Sequence, residues 1–342
     1  MNNPITIIGG GLAGLSLGIA LRRRGIETTV LEAAQYPRHR VCGEFISGVS
    51  RDTLDSLGIA DFFRDAPKLQ STAWWLGNRH LFDAALPDPA MGLSRFALDL
   101  RLAERFVELG GNLRTDERFQ TDDPIQPGLV WATGRARAKS NLLGLSLHVE
   151  GFELQTDLEM HFASGGYTGL CPVENGRVNI SALFHRNTSV KAKPAELFLA
   201  YLESCGVTDL VERIGRAHID PDSHAAVSSV PVGGCRSAAA DEVCAVGDFF
   251  GSMGPFTGNG MSLAFESAAF AAEPLSRFAR GEAIWIDAKT EVLKGLRTRF
   301  RPRLAASRAL HRLLLNPIGL RGISMLSRIG LLPFQSLYRL VR

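Results

Sequence analysis

Two acids and two sets of glycines carry the first chemical signal in this chain of 342 residues. Gly9, Gly11 and Gly14 fill a GxGxxG frame, Gly9-Gly10-Gly11-Leu12-Ala13-Gly14, and Glu32 with Ala33 follows eighteen residues later. In such a frame the first glycine permits the tight turn, the second lets backbone N–H groups approach a diphosphate, and the third lets a helix lie close to its strand. An acid at the position of Glu32 is placed to accept hydrogen bonds from ribose hydroxyls. Far downstream, Gly247-Asp248 ends another apolar run, and Met253-Gly254-Pro255-Phe256 leads to Gly258-Asn259-Gly260-Met261 at the start of a long helix. An acid at the C-terminal edge of a strand can hold polyol hydroxyls, and free amides at a helix start make a positive pole. A nicotinamide dinucleotide has no use for this second pair. A flavin does: its ribityl chain suits the acid, and N1 and the C2 carbonyl of its reduced ring suit the helix end.

The elements that must position these residues are legible in outline. Ile5-Thr6-Ile7-Ile8 reads as a buried parallel strand. A helix follows with Ala13, Leu17, Ala20 and Leu21 on one face, Arg22, Arg23 and Arg24 near its negative pole and Gly25 as its stop. Thr28-Thr29-Val30-Leu31 rebuilds a strand that ends on Glu32. The loop from Tyr36 to Ser47 could put Arg38 or Arg40 beside a diphosphate, or be a solvated charged loop. A helix is expected over 52–63 and a strand-like excursion, with Trp74-Trp75-Leu76, over 69–86. A second helix runs from Ser94 to Asn112 with Leu98, Leu102 and Phe106 inward. Leu129-Val130-Trp131-Ala132 is a short strand that turns out through Thr133-Gly134-Arg135. Residues 145–186 alternate as antiparallel strands, and Glu174-Asn175-Gly176 contains the Asn-Gly pair of a type I′ hairpin. A helix near 195–205 and irregular sequence to Pro231-Val232-Gly233-Gly234 come next. Val243-Cys244-Ala245-Val246 is a further strand, and Met261, Ala264, Phe265, Ala268 and Ala272 form the apolar stripe of the long helix.

With 45% hydrophobic and 21% charged residues, the composition is that of a soluble globular protein. Cys42, Cys171, Cys205, Cys235 and Cys244 are scattered without CxxC or paired Cys/His spacing, which argues against zinc, a disulfide framework or a redox dithiol and suits a reducing cytoplasm. The first strand starts too early for a signal peptide, and no apolar run is long enough for a bilayer. The net charge of +3 conceals ten arginines and one lysine without an acid from Val292 onward. Pro302, Pro317 and Pro333 divide this tail into short helices, one carrying Phe334, Leu337, Tyr338 and Val341 as a stripe. Either these helices touch anionic lipid as a peripheral membrane contact, or they cap the body with a solvated basic side.

With both nucleotide elements placed, residues 1–290 resemble the flavoprotein superfamily of the p-hydroxybenzoate hydroxylase type, which includes geranylgeranyl reductases and flavin-dependent halogenases. The GxGxxG unit with Glu32, the Gly247-Asp248 to Gly260 segment, and Pro37-Arg38-His39-Arg40-Val41-Cys42-Gly43-Glu44 occur in the family's order. Arg95 sits where many members carry a polar residue that contacts FAD. The resemblance implies an α/β fold: a Rossmann-like FAD-binding domain of the GR2 type (1–68, 95–145 and 236–290), an inserted antiparallel β-sheet substrate domain (69–94 and 146–235) and basic C-terminal helices (291–342). It implies FAD as cofactor, NAD(P)H as transient reductant, and contact with FAD from Gly9, Gly11, Leu12, Ala13, Gly14, Glu32, Ala33, Arg40, Cys42, Gly43, Arg95, Thr133, Gly134, Gly247, Asp248, Pro255, Gly258, Asn259, Gly260 and Met261.

Departures from the family pattern narrow the chemistry. Gly166-Tyr167-Thr168-Gly169-Leu170-Cys171-Pro172 stands where halogenases resemble WxWxIP, and no such tryptophans are present. Geranylgeranyl reductases resemble YxWxF there; Tyr167 fits, but Gly169 and Cys171 replace two bulky aromatics. Thr133-Gly134 replaces the Asp-Gly pair of many hydroxylases. The leading expectation is an FAD-dependent monooxygenase using NAD(P)H and O₂ on a lipophilic aromatic or polyketide-like small molecule, with Tyr167 near the substrate. The first alternative is an ene-reductase acting on a prenyl or polyketide C=C bond, with Cys42 or Glu44 as the proton donor. The second is a non-catalytic, membrane-associated flavin carrier. No Ser-His-Asp set, metal-ligand set or nucleic-acid motif stands out.

Overall fold

The computed structural model describes residues 3–120, 125–135, 139–230, 234–235 and 243–342. The irregular stretch expected at 231–233 and the expected domain boundary at residue 236 lie outside them. The chain opens with β1 (Ile5–Ile8), α1 (Leu12–Arg22) and β2 (Thr28–Leu31), the strand–helix–strand unit that the apolar runs predict. β3 (Phe45–Ile46), α2 (Arg51–Leu57), the long hairpin of β4 (Lys68–Leu76) and β5 (Arg79–Gly92), α3 (Arg95–Glu108), β6 (Asn112–Arg114) and β7 (Leu129–Trp131) follow. Then come β8 (Leu142–Glu150), β9 (Leu158–Ala163), β10 (Gly166–Pro172), β11 (Val178–His185), α4 (Leu197–Ser204), α5 (Thr208–Gly215), β12 (His218–Ile219) and β13 (Ala225–Ser228). The last part holds β14 (Gly234–Cys235), β15 (Cys244–Ala245), β16 (Gly251–Ser252), α6 (Gly260–Ala279), α7 (Trp285–Leu315), α8 (Pro317–Arg328) and α9 (Phe334–Leu340).

Two large sheets organise these elements. The first is wholly parallel in the order β15-β7-β1-β2-β6. Helix α1 buries every residue from Leu12 to Leu21, because it lies between this sheet, α3 and α6. Close approach is what its glycines permit: a Cβ on Gly14 would fall 1.9 Å from the Gly9 carbonyl oxygen, and one on Gly18 2.8 Å from the Phe106 ring. The second sheet runs β12-β8-β11-β10-β9-β4-β5-β3, with β13 also on β8. It is antiparallel except where β4 meets β9 in parallel, the join between the two separate stretches of chain that build it. The β10–β11 hairpin turns at Asn175 (φ 61°) and Gly176 (φ 70°), the two left-handed residues a type I′ turn requires.

The tail departs from its expected form. Helix α7 runs unbroken through Pro302, and also across residue 291, where a domain boundary was expected. Pro302 lies on the exposed side of the helix, as does Thr298, whose carbonyl loses its i+4 donor and can turn to water instead. The opposite side of α7 buries Val292, Leu296, Phe300 and Leu304 in the same core as Ile5, Ile7 and Val30. Burial of each such side chain contributes about 1.5–3 kcal/mol, so this helix is part of the body.

Candidate active site

Physical contact between the two glycine motifs defines the site. Gly247 adopts φ +62°, and a Cβ there would lie 2.7 Å from the Cβ of Ala13 in the first turn of α1. Gly9 (φ +105°) backs onto Ala132 and Thr133: a Cβ at Gly9 would fall 2.5 Å from the Ala132 carbonyl oxygen. Segments 9–14, 132–134 and 247–248 therefore meet at the C-terminal edge of the parallel sheet, the edge where open α/β sheets bind nucleotides. Gly11 differs from its neighbours. The nearest atom to a Cβ at Gly11 is Arg95 Nη2, 4.0 Å away, so the space above the turn is open.

A row of alternating charges borders that space. Arg38 Nη2 donates to Glu32 Oε1 at 2.6 Å, and Arg40 Nη2 lies 4.0 Å from Glu32 Oε2. Arg40 Nε is 3.1 Å from Asp99 Oδ2, and Arg95 donates twice to Asp99, from Nε and Nη2, both at 2.8 Å. Asp99 is fully buried, one helical turn after Arg95 on α3. Burial disfavours the Arg95 charge, but Asp99 outweighs it and holds the guanidinium firmly protonated. Arg40 is held by burial and by Arg95 below its ordinary value, and its Nε and Nη2, like Arg38 Nε, find no acceptor at hydrogen-bond geometry among the described residues. Glu32 also accepts from the Gly10 N–H at 2.8 Å, and the Tyr36 hydroxyl donates to the Gly10 carbonyl. Ala33 is exposed beside Glu32.

On the far side of the turn, Arg135 Nε donates to Asp248 Oδ2 at 2.9 Å, while Asp248 Oδ1 is buried with no partner among the described residues. Thr133 is exposed and Gly134 takes φ +77° in the turn that delivers Arg135. Gly258 (φ +65°) lies against Phe45, and Gly260 and Met261 begin α6 with no side-chain cap on their amides. These features suit FAD. Unsatisfied arginine donors and the first-turn amides of α1 fit a diphosphate, the orphaned Asp248 oxygen fits a ribityl hydroxyl, and the uncapped α6 start fits the polar edge of the ring.

Several residues have other partners than the sequence suggests. The Asn259 side chain is 1% exposed and bonds protein on both sides: Oδ1 accepts from Ser47 Oγ at 2.8 Å, and Nδ2 donates to the Val341 carbonyl at 2.7 Å. It pins the C-terminus to the start of α6, so only its backbone remains for a cofactor. Glu44 (φ 53°) is buried, with Oε1 accepting from the Arg95 N–H at 2.8 Å and Oε2 2.7 Å from His148 Nε2. Burial raises its pKa. Cys42 Sγ lies 3.7 Å from Met261 Sδ, and burial pushes its thiol up, away from a reactive thiolate. Gly43 follows it with the Ser181 hydroxyl 3.7 Å from where a Cβ would stand. Pro255 opens a short turn that places Phe256 between Tyr167 and Trp74. Among the described residues the buried Tyr167 hydroxyl has no partner at full hydrogen-bond geometry; burial raises its pKa, and Arg135 and the Phe256 backbone oppose that rise.

Beyond Phe256 and Thr257 lies an apolar cavity of about 60 Å³. Phe45, Trp74 and Met160 wall it from the second sheet, and Phe334, Leu337 and Tyr338 close it from α9. Of the two readings of the tail stripe, the structure has the capping one: Phe334, Leu337, Tyr338 and Val341 face inward over this cavity. Sequence reasoning missed Asp99, Arg135, His148 and His311. Asp99 had a local signal, four residues after Arg95 on one helix face, and Arg135 directly follows the expected Thr133-Gly134 turn; His148 and His311 had none.

Comparison with known proteins gives one family match and several likenesses of fold. Residues 2–124 match a family model described as an FAD binding domain. Monooxygenase 1 of Arabidopsis thaliana is 28% identical over 182 residues, which span 50% of this chain and 45% of that protein. Klebsiella pneumoniae HpxO, solved with FAD and uric acid, superposes with a TM-score of 0.75 at 17% identity, over 99% of this chain and 96% of that one. P. aeruginosa PqsL, solved with 2-aminobenzoylacetate, gives 0.71 at 16% identity, over 94% and 98%.

Proposed function

We propose that this chain is an FAD-dependent monooxygenase that uses NAD(P)H and O₂ to hydroxylate a lipophilic, phenolic small molecule. The observation that carries the reading is the apolar cavity against Phe256 and Thr257, directly beyond the segment that joins Asp248 to α6. The reaction consumes substrate, O₂, NAD(P)H and one proton, and returns hydroxylated substrate, water and NAD(P)⁺. When bound, FAD supplies the electron transfer from nicotinamide to dioxygen.

The chain's own residues bind, orient and exclude water. Gly9, Gly11, Gly14, Leu12, Ala13, Arg40 and Arg95 would hold the diphosphate, Glu32 the ribose and Asp248 the ribityl chain. Backbone at Gly258, Gly260 and Met261 would face the ring. Phe45, Trp74, Phe256 and Phe334 wall the cavity and keep water from the reacting atoms. Tyr167 Oη stays protonated and, with no acceptor for its proton among the described residues, would donate to a substrate oxygen. Glu44 is already engaged by His148 and Arg95, which disfavours it as the proton donor of an ene-reductase.

The test starts with the colour of the purified protein and the identity of the extracted chromophore as FAD. NAD(P)H oxidation is then followed with an oxygen electrode across a panel of apolar phenols. Oxygen uptake that rises with one phenol and yields its hydroxylated product supports the reading; turnover of an olefin under argon, without oxygen uptake, replaces it with the reductase.

A further inference from the structure

Helix α7 borders a second opening, on the side away from the apolar cavity. This cleft encloses about 550 Å³ and is lined by His185, Arg308, His311, Arg312, Asn316 and Pro317 together with two leucines. No Asp or Glu is among its lining residues. Arg308 and Arg312 stand one turn apart on α7, and Arg308 Nε is buried with no acceptor among the described residues. Asn316 and Pro317 begin α8, so the positive end of a helix of 12 residues lies at the rim. His311 is the decisive residue. It is 2% exposed, and among the described residues neither Nδ1 nor Nε2 has a hydrogen-bond partner. A buried polar group left unpaired is unfavourable because its lost hydration is not replaced, and a fold that retains two on one ring invites a ligand that satisfies them.

We propose that this cleft is a binding site for an oxyanion, a phosphate or a carboxylate, held between the guanidiniums of Arg308 and Arg312 and the ring of His311. The groups that face His311 are the Tyr167 ring at 6.0 Å, Arg135, His185 and the two arginines of its own helix. Burial pushes the His311 pKa down to about 4, and Arg135 and His185 act in the same direction. The ring is therefore neutral at pH 7. An arriving anion opposes the charges of Arg135 and His185 and favours a proton on the ring, so binding strengthens as pH falls and takes up protons. Two sources offer this chemistry: the phosphates of a nicotinamide dinucleotide, or a carboxylate on the substrate. The first source rests on the proposed function; the site itself does not.

The experiment is calorimetry on the FAD-loaded chain, whose glycine turn is already filled, with inorganic pyrophosphate as the probe. Saturable binding is expected, weakened about tenfold or more, or 1.4 kcal/mol, by Arg308→Ala with Arg312→Ala and retained by the double lysine variant. In His311→Gln the proton uptake, read from buffers of different ionisation heat, disappears. An unchanged visible spectrum of bound FAD shows that each variant is folded. Displacement of pyrophosphate by NADP⁺ or NAD⁺ assigns the dinucleotide, and displacement by benzoate assigns a carboxylate. Equal binding to wild type and the double alanine variant, or displacement by none of these, overturns the proposal.

Discussion

Gly11→Ala separates the cost of folding from the cost of binding at the first glycine turn. At Gly14 the two cannot be separated, because a Cβ would lie 1.9 Å from the Gly9 carbonyl oxygen and must force α1 away from β1. At Gly11 the backbone already has ordinary extended geometry (φ −86°, ψ −169°), and a Cβ meets nothing nearer than Arg95 Nη2 at 4.0 Å. Alanine is a poorer N-cap than glycine, but it also restricts the unfolded chain; the opposing effects leave stability within about 1 kcal/mol of wild type. The cofactor meets a different surface. A methyl group about 1.5 Å from Cα occupies the space through which a diphosphate reaches the first amides of α1. One hydrogen bond to a charged group is then lost, or two are lengthened, at about 1.5–3 kcal/mol in all. The expected result is FAD affinity lowered by about tenfold to somewhat over a hundredfold, with an almost unchanged urea midpoint for the flavin-free protein. FAD fluorescence quenching on deflavinated protein measures the first quantity and circular dichroism the second. If Gly11→Ala binds FAD within about threefold of wild type, a difference of less than 1 kcal/mol, the diphosphate does not lie on this turn and the placement of the cofactor is wrong.

Two further perturbations test the supports of the site. Asn259→Ala strips the Val341 carbonyl and the Ser47 hydroxyl of buried partners, at a cost of about 2–3 kcal/mol. Hydrogen exchange should then quicken across 334–342 before it does in α6, and equal protection in both proteins would show that Asn259 does not hold the C-terminus. Glu159, fully buried on β9, accepts from Arg213 Nη1 and Nη2 at 2.8 Å each and from the Gln155 N–H at 2.6 Å. Although burial alone would raise it, Arg213 and His161 bring its pKa down to about 2. A carboxylate depressed in the folded state stabilises above its unfolded value and loses that contribution as pH falls through its folded value. About 3 kcal/mol should therefore disappear between about pH 4.3 and 2. Glu159→Gln removes that acid limb and destabilises at neutral pH, as read from urea midpoints at pH 6 and pH 3; identical pH dependence in the variant would refute the assignment.

What could be read from the sequence was what depends on near neighbours. The run from Ile5 to Glu32 declares its strand, turn, helix and strand because each signal lies within one turn or one strand of the next. The Asn175-Gly176 turn is equally local, set by the left-handed tolerance of two residues. The side chain of Asn259 shows where this ends. Its position at the start of α6 was legible, but its partners stand 212 and 82 residues away, and only the folded packing of α9 decides them. The same holds for α9, whose stripe of Phe334, Leu337 and Tyr338 reads alike whether it faces lipid or a cavity. Pro302 misleads for another reason: a proline costs a helix less where the freed carbonyl faces water, and burial is not written in the residue type. His311 offered no signal at all, since one histidine among tail arginines has meaning only once α7 is laid beside Tyr167 and Arg135.

The charges around the glycine turn explain why the fold and the cofactor should depend on one another. Arg38, Glu32, Arg40, Asp99 and Arg95 form one chain of alternating sign, three cations to two anions, with Arg40 at its centre and Asp99 fully buried beside it. The surplus positive charge sits on Arg40, whose donors are unsatisfied, next to the free amides of α1. Holding three guanidiniums together in a half-buried corner is unfavourable in the absence of a counter-charge. A diphosphate supplies that counter-charge and satisfies the same donors, so it binds the folded corner and has no equivalent partner in the unfolded chain. By linkage, stability should then rise with the logarithm of free FAD above its dissociation constant, about 2.7 kcal/mol at a hundredfold excess. Arg40→Ala lowers the number of unsatisfied donors in the empty protein while weakening FAD, so the gain in thermal stability on adding FAD should shrink even if the flavin-free protein melts no earlier. A variant that loses stability equally with and without FAD would instead make Arg40 a purely structural partner of Asp99.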